Sequence, residues 1–271
     1  MTGFDWSQAS LGPRPGAPQH RAISLLSPPI DCSSTEPLKV IASDGRQYLV
    51  KPVDNPVGPH VVLPERIVHS AGAFLQAPLA RHALITLPEA LASAVVYSDG
   101  SSPRPGVAHA VEWIAEATQG WERPEFTRRD SNAHRIARYI ALWLWCDGQD
   151  EQFLYDEGSS LTAIDHGCWM NHPQNEWPEP QLAAASSQPR AWPISVRGVD
   201  PEELHRMAGC LRSFTEHAAL QVAGTVPVEW GYGDSHLFAV AEWLHRRAVP
   251  TAEALDALAM QAAPKKSRKK S

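Results

Sequence analysis

The first third of the chain alternates apolar and polar positions as β-strands do. The stretch "LKVIASDGRQYLVKP" holds two such runs around Asp44-Gly45, which is typical of a tight two-residue hairpin turn because glycine tolerates a positive φ. The runs "HALITL" and "VAHAVEWI" predict two more strands, separated by the turn-rich "SDGSSPRPG". Between the two pairs, "LPERIVHSAGAFLQA" repeats apolar residues at helical spacing. The pattern predicts a small antiparallel sheet with one helix.

Helical spacing dominates after Gly120. The segment "DSNAHRIARYIALWLWCDG" begins with capping residues and predicts a largely buried helix. The runs "FLYD" and "LTAID" predict a short hairpin that turns at Glu157-Gly158. A long polar loop over 171–194 follows, and then three further helices are predicted at 201–223, 235–247 and 251–262.

These elements predict an α+β protein of four parts. They are an irregular N-terminal arm over 1–36, with one early strand near 23–26, a small β-rich lobe over 37–118, a mainly helical lobe over 119–263 and a basic tail over 264–271.

Composition narrows the function classes. A net charge of -6 argues against a broad nucleic-acid-binding face, which needs a basic excess. The four cysteines form no C-x-x-C pair, which favours free thiols in a reducing compartment and argues against structural zinc. His60 and His69 have no third ligand at a suitable spacing. The densest apolar run, 139–146, is too short to cross a bilayer, so we expect a cytoplasmic protein without a membrane partner.

The candidate chemistry is phosphoryl transfer. That reaction needs a cation for the phosphates, carboxylate and amide oxygens for magnesium, and a carboxylate near the acceptor hydroxyl. Lys51 closes the strand "RQYLVK", and Glu65 opens the following helix. Asp147 follows the buried helix, and Gln152 comes after four intervening residues, the interval between the catalytic Asp and the metal-binding amide of protein kinases. Asp165 ends a short strand and precedes His-Gly.

With these motifs in place, the chain resembles the HipA-like kinases, in particular a compact bacterial branch with a reduced small lobe. "GRQYLVKP" is similar to the ATP-lysine strand of that family, and "LPERIVHSAGAFLQAPLARHALITLPEAL" to its acid-bearing helix and following strand. "CDGQDEQFL" resembles a degenerate catalytic loop, and "LTAIDHGCWM" the metal-binding Ile-Asp-His-Gly segment. The resemblance covers about residues 38–170.

The resemblance implies a bilobal protein-kinase-like fold that uses ATP and Mg²⁺. Lys51 would neutralise the nucleotide phosphates, and Glu65 would orient it through an ion pair. Asp147 would act as base or orient the acceptor hydroxyl, while Asp165 and Gln152 would bind magnesium. The segment between the lobes would pair with adenine through the backbone of Glu112, Trp113 and Ile114, with the indole ring touching the base.

The chain also departs from the family pattern. Gly148 and Gln149 stand where the family commonly has Arg and His, and Gln152 replaces the usual Asn. Asp150 or Glu151 could take over as ligand. No clear Gly-rich phosphate loop precedes the predicted ATP lysine. Two hypotheses therefore stand: a phosphotransferase acting on a protein Ser or Thr or on a small molecule, and a pseudokinase that binds a partner without turnover.

Each predicted site residue also has a simpler interpretation. A lysine at a strand end is often a solvated edge charge, and an acid such as Glu65 is favoured in any first helical turn. Asp147 with Gly148 is typical of a turn that stops a helix, and His166 of a structural hydrogen-bonding residue. Asp165 is the hardest to explain in this way, because a carboxylate between apolar neighbours is costly unless it is paired or bound to metal.

Overall fold

The computed structural model describes residues 4–6, 9–15, 18, 20–30, 33–120, 127–170, 182 and 184–263. Over these residues the fold is α+β, which confirms the predicted class. The predicted tail over 264–271 and half of the predicted loop over 171–194 lie outside the described residues. No helix in the described part combines the length and the apolar character needed to cross a membrane.

The strands are β1 His20–Leu25, β2 Leu38–Ala42, β3 Gln47–Lys51, β4 His82–Leu87, β5 Gly106–Glu112, β6 Thr118–Gln119, β7 Phe153–Tyr155 and β8 Leu161–Ala163. The α-helices are α1 Val62–Leu75, α2 Glu89–Ala92, α3 Asn132–Trp145, α4 Pro201–Arg212, α5 Glu216–Ala223 and α6 Asp234–Ala262. Short 3-10 turns cover Pro59–Val61 and Val228–Trp230.

The N-terminal sheet is a closed barrel with the strand order β1-β2-β3-β5-β4, where a small antiparallel sheet was predicted. Strand β1, which falls in the predicted arm, closes it by pairing antiparallel to β2 and parallel to β4. Closure removes the unpaired edges that an open sheet would expose. Alternate residues of β2 and β3 fill the interior, among them Leu38, Val40, Tyr48 and Val50.

The β2–β3 hairpin is confirmed, but its loop is one residue longer than predicted. Ala42 N donates to Arg46 O at 2.9 Å, and Gly45 N donates to Ala42 O at 2.9 Å. Gly45 has a φ of 80°, which fits a turn followed by a left-handed glycine, the usual three-residue hairpin loop. The Asp44-Gly45 signal was correct because both loop types need a residue with positive φ.

Helix α1 follows β3 directly in the chain but packs on the helical part of the protein. Its buried residues Ile67, Ala71 and Leu75 belong to the larger hydrophobic core, together with Ile140 and Leu144 of α3. The first turn of α1 therefore lies where the barrel meets the helices. The three-stranded sheet β6-β7-β8 completes this part of the fold.

The C-terminal helices differ from the prediction in two places. The helix predicted over 201–223 is two helices, because Thr215 accepts from Ala218 N and caps a new start. The helices predicted over 235–247 and 251–262 are one helix, α6, with Pro250 inside it. Burial of apolar residues on both sides of this proline, such as Leu244 and Leu255, favours a continuous helix despite the missing N–H.

Candidate functional site

Three predicted residues meet where the barrel joins the helices. Lys51 Nζ lies 2.5 Å from Glu65 Oε1 and 2.8 Å from Asp165 Oδ1. Lys51 ends β3, Glu65 lies in the first turn of α1, and Asp165 follows β8. We call these three residues the Lys51 cluster. The structure therefore brings together side chains that the sequence placed far apart.

The Lys51 cluster is charged although it is buried. Burial alone would lower the pKa of the Lys51 amine, but Glu65 and Asp165 together hold that pKa above its usual value. Burial would likewise raise the pKa of the Glu65 carboxyl, and Lys51 holds it well below its usual range. Buried charges persist only when they are paired in this way.

Asp165 keeps one oxygen free of the lysine. Its Oδ1 binds Lys51, whereas Oδ2 lies 3.5 Å from Gln152 Nε2, and 40% of the side chain is exposed. The residue has a φ of 57°, a left-handed conformation that is uncommon for residues other than glycine and clusters at functional sites. Pairing of Ile164 N with Gln152 O at 3.1 Å extends the β7–β8 hairpin up to this residue. The hairpin thus presents Asp165 to the cleft.

A cavity of about 350 Å³ opens beside Asp165. Its other lining residues are Ser33, Ser34, Thr35, Val57, His60, Val61, Gly167 and Cys168. A Cβ at position 167 would lie 3.2 Å from Val61 O, so glycine there allows this close approach. The hydroxyl residues Ser33 to Thr35 were missed by the sequence analysis. Their signal was a run of three hydroxyl side chains shortly before β2.

Gln152 lies at the site, as predicted, and its side chain also contacts Asp150. Gln152 Nε2 donates to Asp150 Oδ2 at 2.8 Å and reaches Asp165 Oδ2 at 3.5 Å. Trp169 Nε1 donates to Asp150 Oδ1 at 3.1 Å. Rotation of the Gln152 amide by 180° would place its oxygen where Nε2 now lies, facing Asp150 and Asp165. One amide therefore links two carboxylates next to the cavity.

Asp147 contacts a different group of charges. Its Oδ1 lies 3.1 Å from Arg190 Nε and 3.7 Å from Arg247 Nη2, and its side chain is 7% exposed. We call Asp147, Arg190 and Arg247 the Arg247 cluster. Arg247 donates to Leu144 O at 2.6 Å and to Trp145 O at 2.7 Å, which satisfies the last carbonyls of α3. Asp147 thus neutralises the residue that caps this helix, whereas Asp150 contacts Gln152 next to Asp165.

The departure at position 148 has a local reason. A Cβ there would lie 2.2 Å from Trp143 Cδ1, so the indole ring occupies the space that a side chain would need. Only glycine therefore allows the backbone after α3 to pass this close to Trp143.

The predicted adenine contact conflicts with the sheet at two of its three residues. Glu112 N donates to Arg81 O at 2.7 Å, and Trp113 N donates to Gln47 O at 2.9 Å. These N–H groups already extend the barrel pairing, so adenine would have to displace sheet hydrogen bonds. The side chains also have partners, since Glu112 binds Arg46 at 3.1 Å and the indole ring lies under the Lys39 amine. The adenine contact of Glu112, Trp113 and Ile114 stays a prediction, with the N–H groups of the first two already used in the sheet.

The chain was compared with protein-family models and with curated proteins. No protein-family model matches the chain, and no curated protein matches it either. The roles of the site residues are therefore argued from their contacts and chemistry.

Proposed function

We propose that the protein is an ATP- and magnesium-dependent phosphotransferase of the HipA-like type. The observation that carries this proposal is the buried Lys51 amine between Glu65 and Asp165, at 2.5 and 2.8 Å. Protein kinases require the same set, a strand lysine paired with a helix glutamate and a metal-binding aspartate. We further propose that the barrel and the helical part act as the two lobes of a kinase-like arrangement.

The donor set supports magnesium. Asp165 Oδ2 and the amide oxygen of Gln152 offer hard oxygen ligands beside the Lys51 cluster. Magnesium prefers carboxylate oxygens and phosphates over nitrogen or sulfur. When bound there, the ion would neutralise charge on the transferring phosphoryl group.

The cavity beside Asp165 supports the phosphate position. Its volume of about 350 Å³ is within the range of small-molecule sites, about 300–1,000 Å³. The hydroxyl groups of Ser33, Ser34 and Thr35 line it opposite the carboxylate, and hydroxyl donors suit phosphate oxygens. These residues would bind phosphates in place of the missing Gly-rich loop, with Lys51 supplying the positive charge.

The acceptor is a hydroxyl group, of a protein Ser or Thr or of a small molecule. A carboxylate must orient that hydroxyl and receive its proton. Asp150 adjoins Asp165 through Gln152, whereas Asp147 is held by two arginines. We therefore assign this role to Asp150, and the role predicted for Asp147 stays a sequence-based prediction.

A second candidate is a pseudokinase, which binds nucleotide or a partner protein without turnover. It is favoured by the state of Asp150, because Trp169 and Gln152 donate to its two oxygens. With both oxygens already accepting hydrogen bonds, this carboxylate is less available to contact an acceptor hydroxyl. Transfer of the γ-phosphate, measured separately from binding, distinguishes the two candidates.

Isothermal titration with ATP and Mg²⁺ tests the proposal. Lys51→Met should weaken binding at least about tenfold, because a charge-assisted contact to phosphate contributes about 1.5–3 kcal/mol. Arg197→Met is the control, since this cation is exposed and does not line the cavity beside Asp165. Equal affinity of the wild type and Lys51→Met would contradict the proposal. Radiolabelled ATP then measures transfer, which should be lost in Asp150→Asn and retained in Asp147→Asn.

A further inference from the structure

Four histidines form a cluster next to Glu65. They are His69 of α1, His82 of β4, His109 of β5 and His166, which follows Asp165. Their ring centroids lie 4.7 Å apart for His69–His82, 5.1 Å for His69–His109 and 5.2 Å for His69–His166. We call them the histidine cluster. His69, His109 and His166 are at most 1% exposed.

The buried polar atoms of this cluster lack hydrogen bonds. Within the described residues, no partner exists for Glu65 Oε2, His69 Nε2, or either ring nitrogen of His109 and His166. His166 Nδ1 lies 3.7 Å from Glu65 Oε2, which is too long for the hydrogen bond predicted for this residue. A buried polar atom without a partner costs about 1–3 kcal/mol. Six such atoms in one cluster indicate a bound group other than the polypeptide that contacts them.

The ring of His69 is oriented as in a metal ligand. Its Nδ1 lies 2.7 Å from the backbone carbonyl of Glu65, which can only accept, so Nδ1 carries the hydrogen. The lone pair is then on Nε2, which is buried and has no partner within the described part of the chain. Metal-binding histidines typically donate their other ring N–H to a carbonyl or carboxylate in this way.

The carboxylate of Glu65 contacts groups on two sides. Its Oε1 lies 2.5 Å from Lys51 Nζ, and its Oε2 lies 3.9 Å from His69 Nδ1 and 3.7 Å from His166 Nδ1. Glu65 Oε2 therefore faces the imidazoles and is not used by the lysine.

We propose that Glu65, His69 and His109 bind one divalent transition-metal ion of the zinc class. Their ligand atoms lie within 4.8 Å of one another. A tetrahedral zinc ion with bonds of about 2.0–2.2 Å places its ligands about 3.3 Å apart, so a small convergence of the side chains completes the site. Two imidazoles and one carboxylate are a common zinc set, and they differ from the oxygen ligands assigned to magnesium.

A cavity lies next to the site. A surface cavity of about 230 Å³ is lined by His69 and His82, together with Ala73, Leu79 and Arg81. His82 is only partly buried and lies at the edge of the cluster, outside the proposed ligand triad. The cavity therefore adjoins the buried His69 from the surface side.

The site was not expected from the sequence. The histidine that completes it comes from β5, and only the pairing of His109 with Lys51 across the sheet brings it to α1. Spacing along the chain shows Glu65 and His69 one helical turn apart but not their third partner.

Zinc binding to the untagged full-length chain, stripped of metal, tests the proposal. Competition with a chromophoric chelator should give one equivalent of Zn²⁺ in the wild type. The apparent Kd should rise at least about a hundredfold in His69→Asn and His109→Asn, because each loses a direct ligand. His82→Asn is the matched control from the same cluster and should bind as the wild type does. Circular dichroism of the metal-free variants confirms that they are folded.

Cobalt substitution identifies the ligands independently. Bound Co²⁺ should show tetrahedral d–d absorption without a thiolate charge-transfer band, since no cysteine belongs to the triad. Lys51→Met should retain zinc, so loss of ATP binding and loss of zinc binding are separable results. Substoichiometric zinc in the wild type, a thiolate band, or His82→Asn as impaired as His109→Asn would overturn the proposal.

Discussion

The Lys51 cluster and the Arg247 cluster each contain a buried cation next to a carboxylate. They differ in how many of their polar atoms have hydrogen-bond partners. Arg247 uses its donors on four backbone carbonyls, those of Leu144, Trp145, Ser186 and Gln188, and lies near Asp147. In the Lys51 cluster, Glu65 Oε2 has no partner in the described part, and Asp165 Oδ2 has only a long contact.

This difference distinguishes a cluster that stabilises the fold from a cluster that can bind a ligand. A network in which four of the five guanidinium N–H groups donate to backbone carbonyls fixes one arrangement of the chain, and a ligand would have to break it. A network with spare acceptors beside a cavity has capacity for another group. Charge and burial alone do not distinguish these cases, because both clusters are charged and largely buried.

The largest expected effect is on stability, at the Arg247 cluster. Arg247→Met should lower the free energy of unfolding by about 3–5 kcal/mol, because it leaves the last carbonyls of α3 without their donor and removes one of the two arginines beside Asp147. Urea denaturation measures this change. Arg197→Met, at an exposed residue, is the control and should stay within about 0.5 kcal/mol of the wild type. A loss of less than about 1 kcal/mol in Arg247→Met would contradict a structural role for the Arg247 cluster.

A smaller, pH-dependent effect is expected at Glu203, which joins α3 and α4. Hydrogen bonds from Arg206, at 2.6 and 2.7 Å, and from Arg138, at 2.5 Å, lower the pKa of Glu203 to about 2. A folded-state pKa below the usual 4.5 contributes stability above about pH 4.5, and this contribution is lost as the pH falls toward about 2. Glu203→Gln should therefore cost about 1 kcal/mol at pH 7, and less as the pH falls through this window.

Thermal unfolding at a series of pH values measures this dependence. Glu202→Gln is the matched control, because the neighbouring side chain is exposed. It should show a smaller difference from the wild type. If the cost of Glu203→Gln is the same at pH 7 and pH 3, the ion pairs do not hold this carboxylate in its charged form.

The sequence predicted the Lys51 cluster because each member follows from a local rule. Lys51 ends an alternating strand, Glu65 lies in a first helical turn, and Asp165 ends a short hairpin. Local rules could not decide between Asp147 and Asp150, because both lie in the same loop. That choice depends on Arg247, which is distant in the chain and reaches Asp147 only through the packing of α6 on α3.

The closed barrel was missed for the same reason. Each strand was visible in its alternation, but the parallel pairing of His20 with Ile85 and Arg21 with Thr86 has no local signal. The histidine cluster likewise needs α1, β4 and β5 to converge.

The central claim is that the metal-nucleotide complex binds at the Lys51 cluster and not at the Arg247 cluster. Electron paramagnetic resonance of Mn²⁺, which substitutes for magnesium, tests it in the presence of ATP. The wild type and Asp147→Asn should both remove the signal of free Mn²⁺–ATP, whereas Asp165→Asn should leave it in solution. Binding that survives in Asp165→Asn and fails in a folded Asp147→Asn would contradict the account.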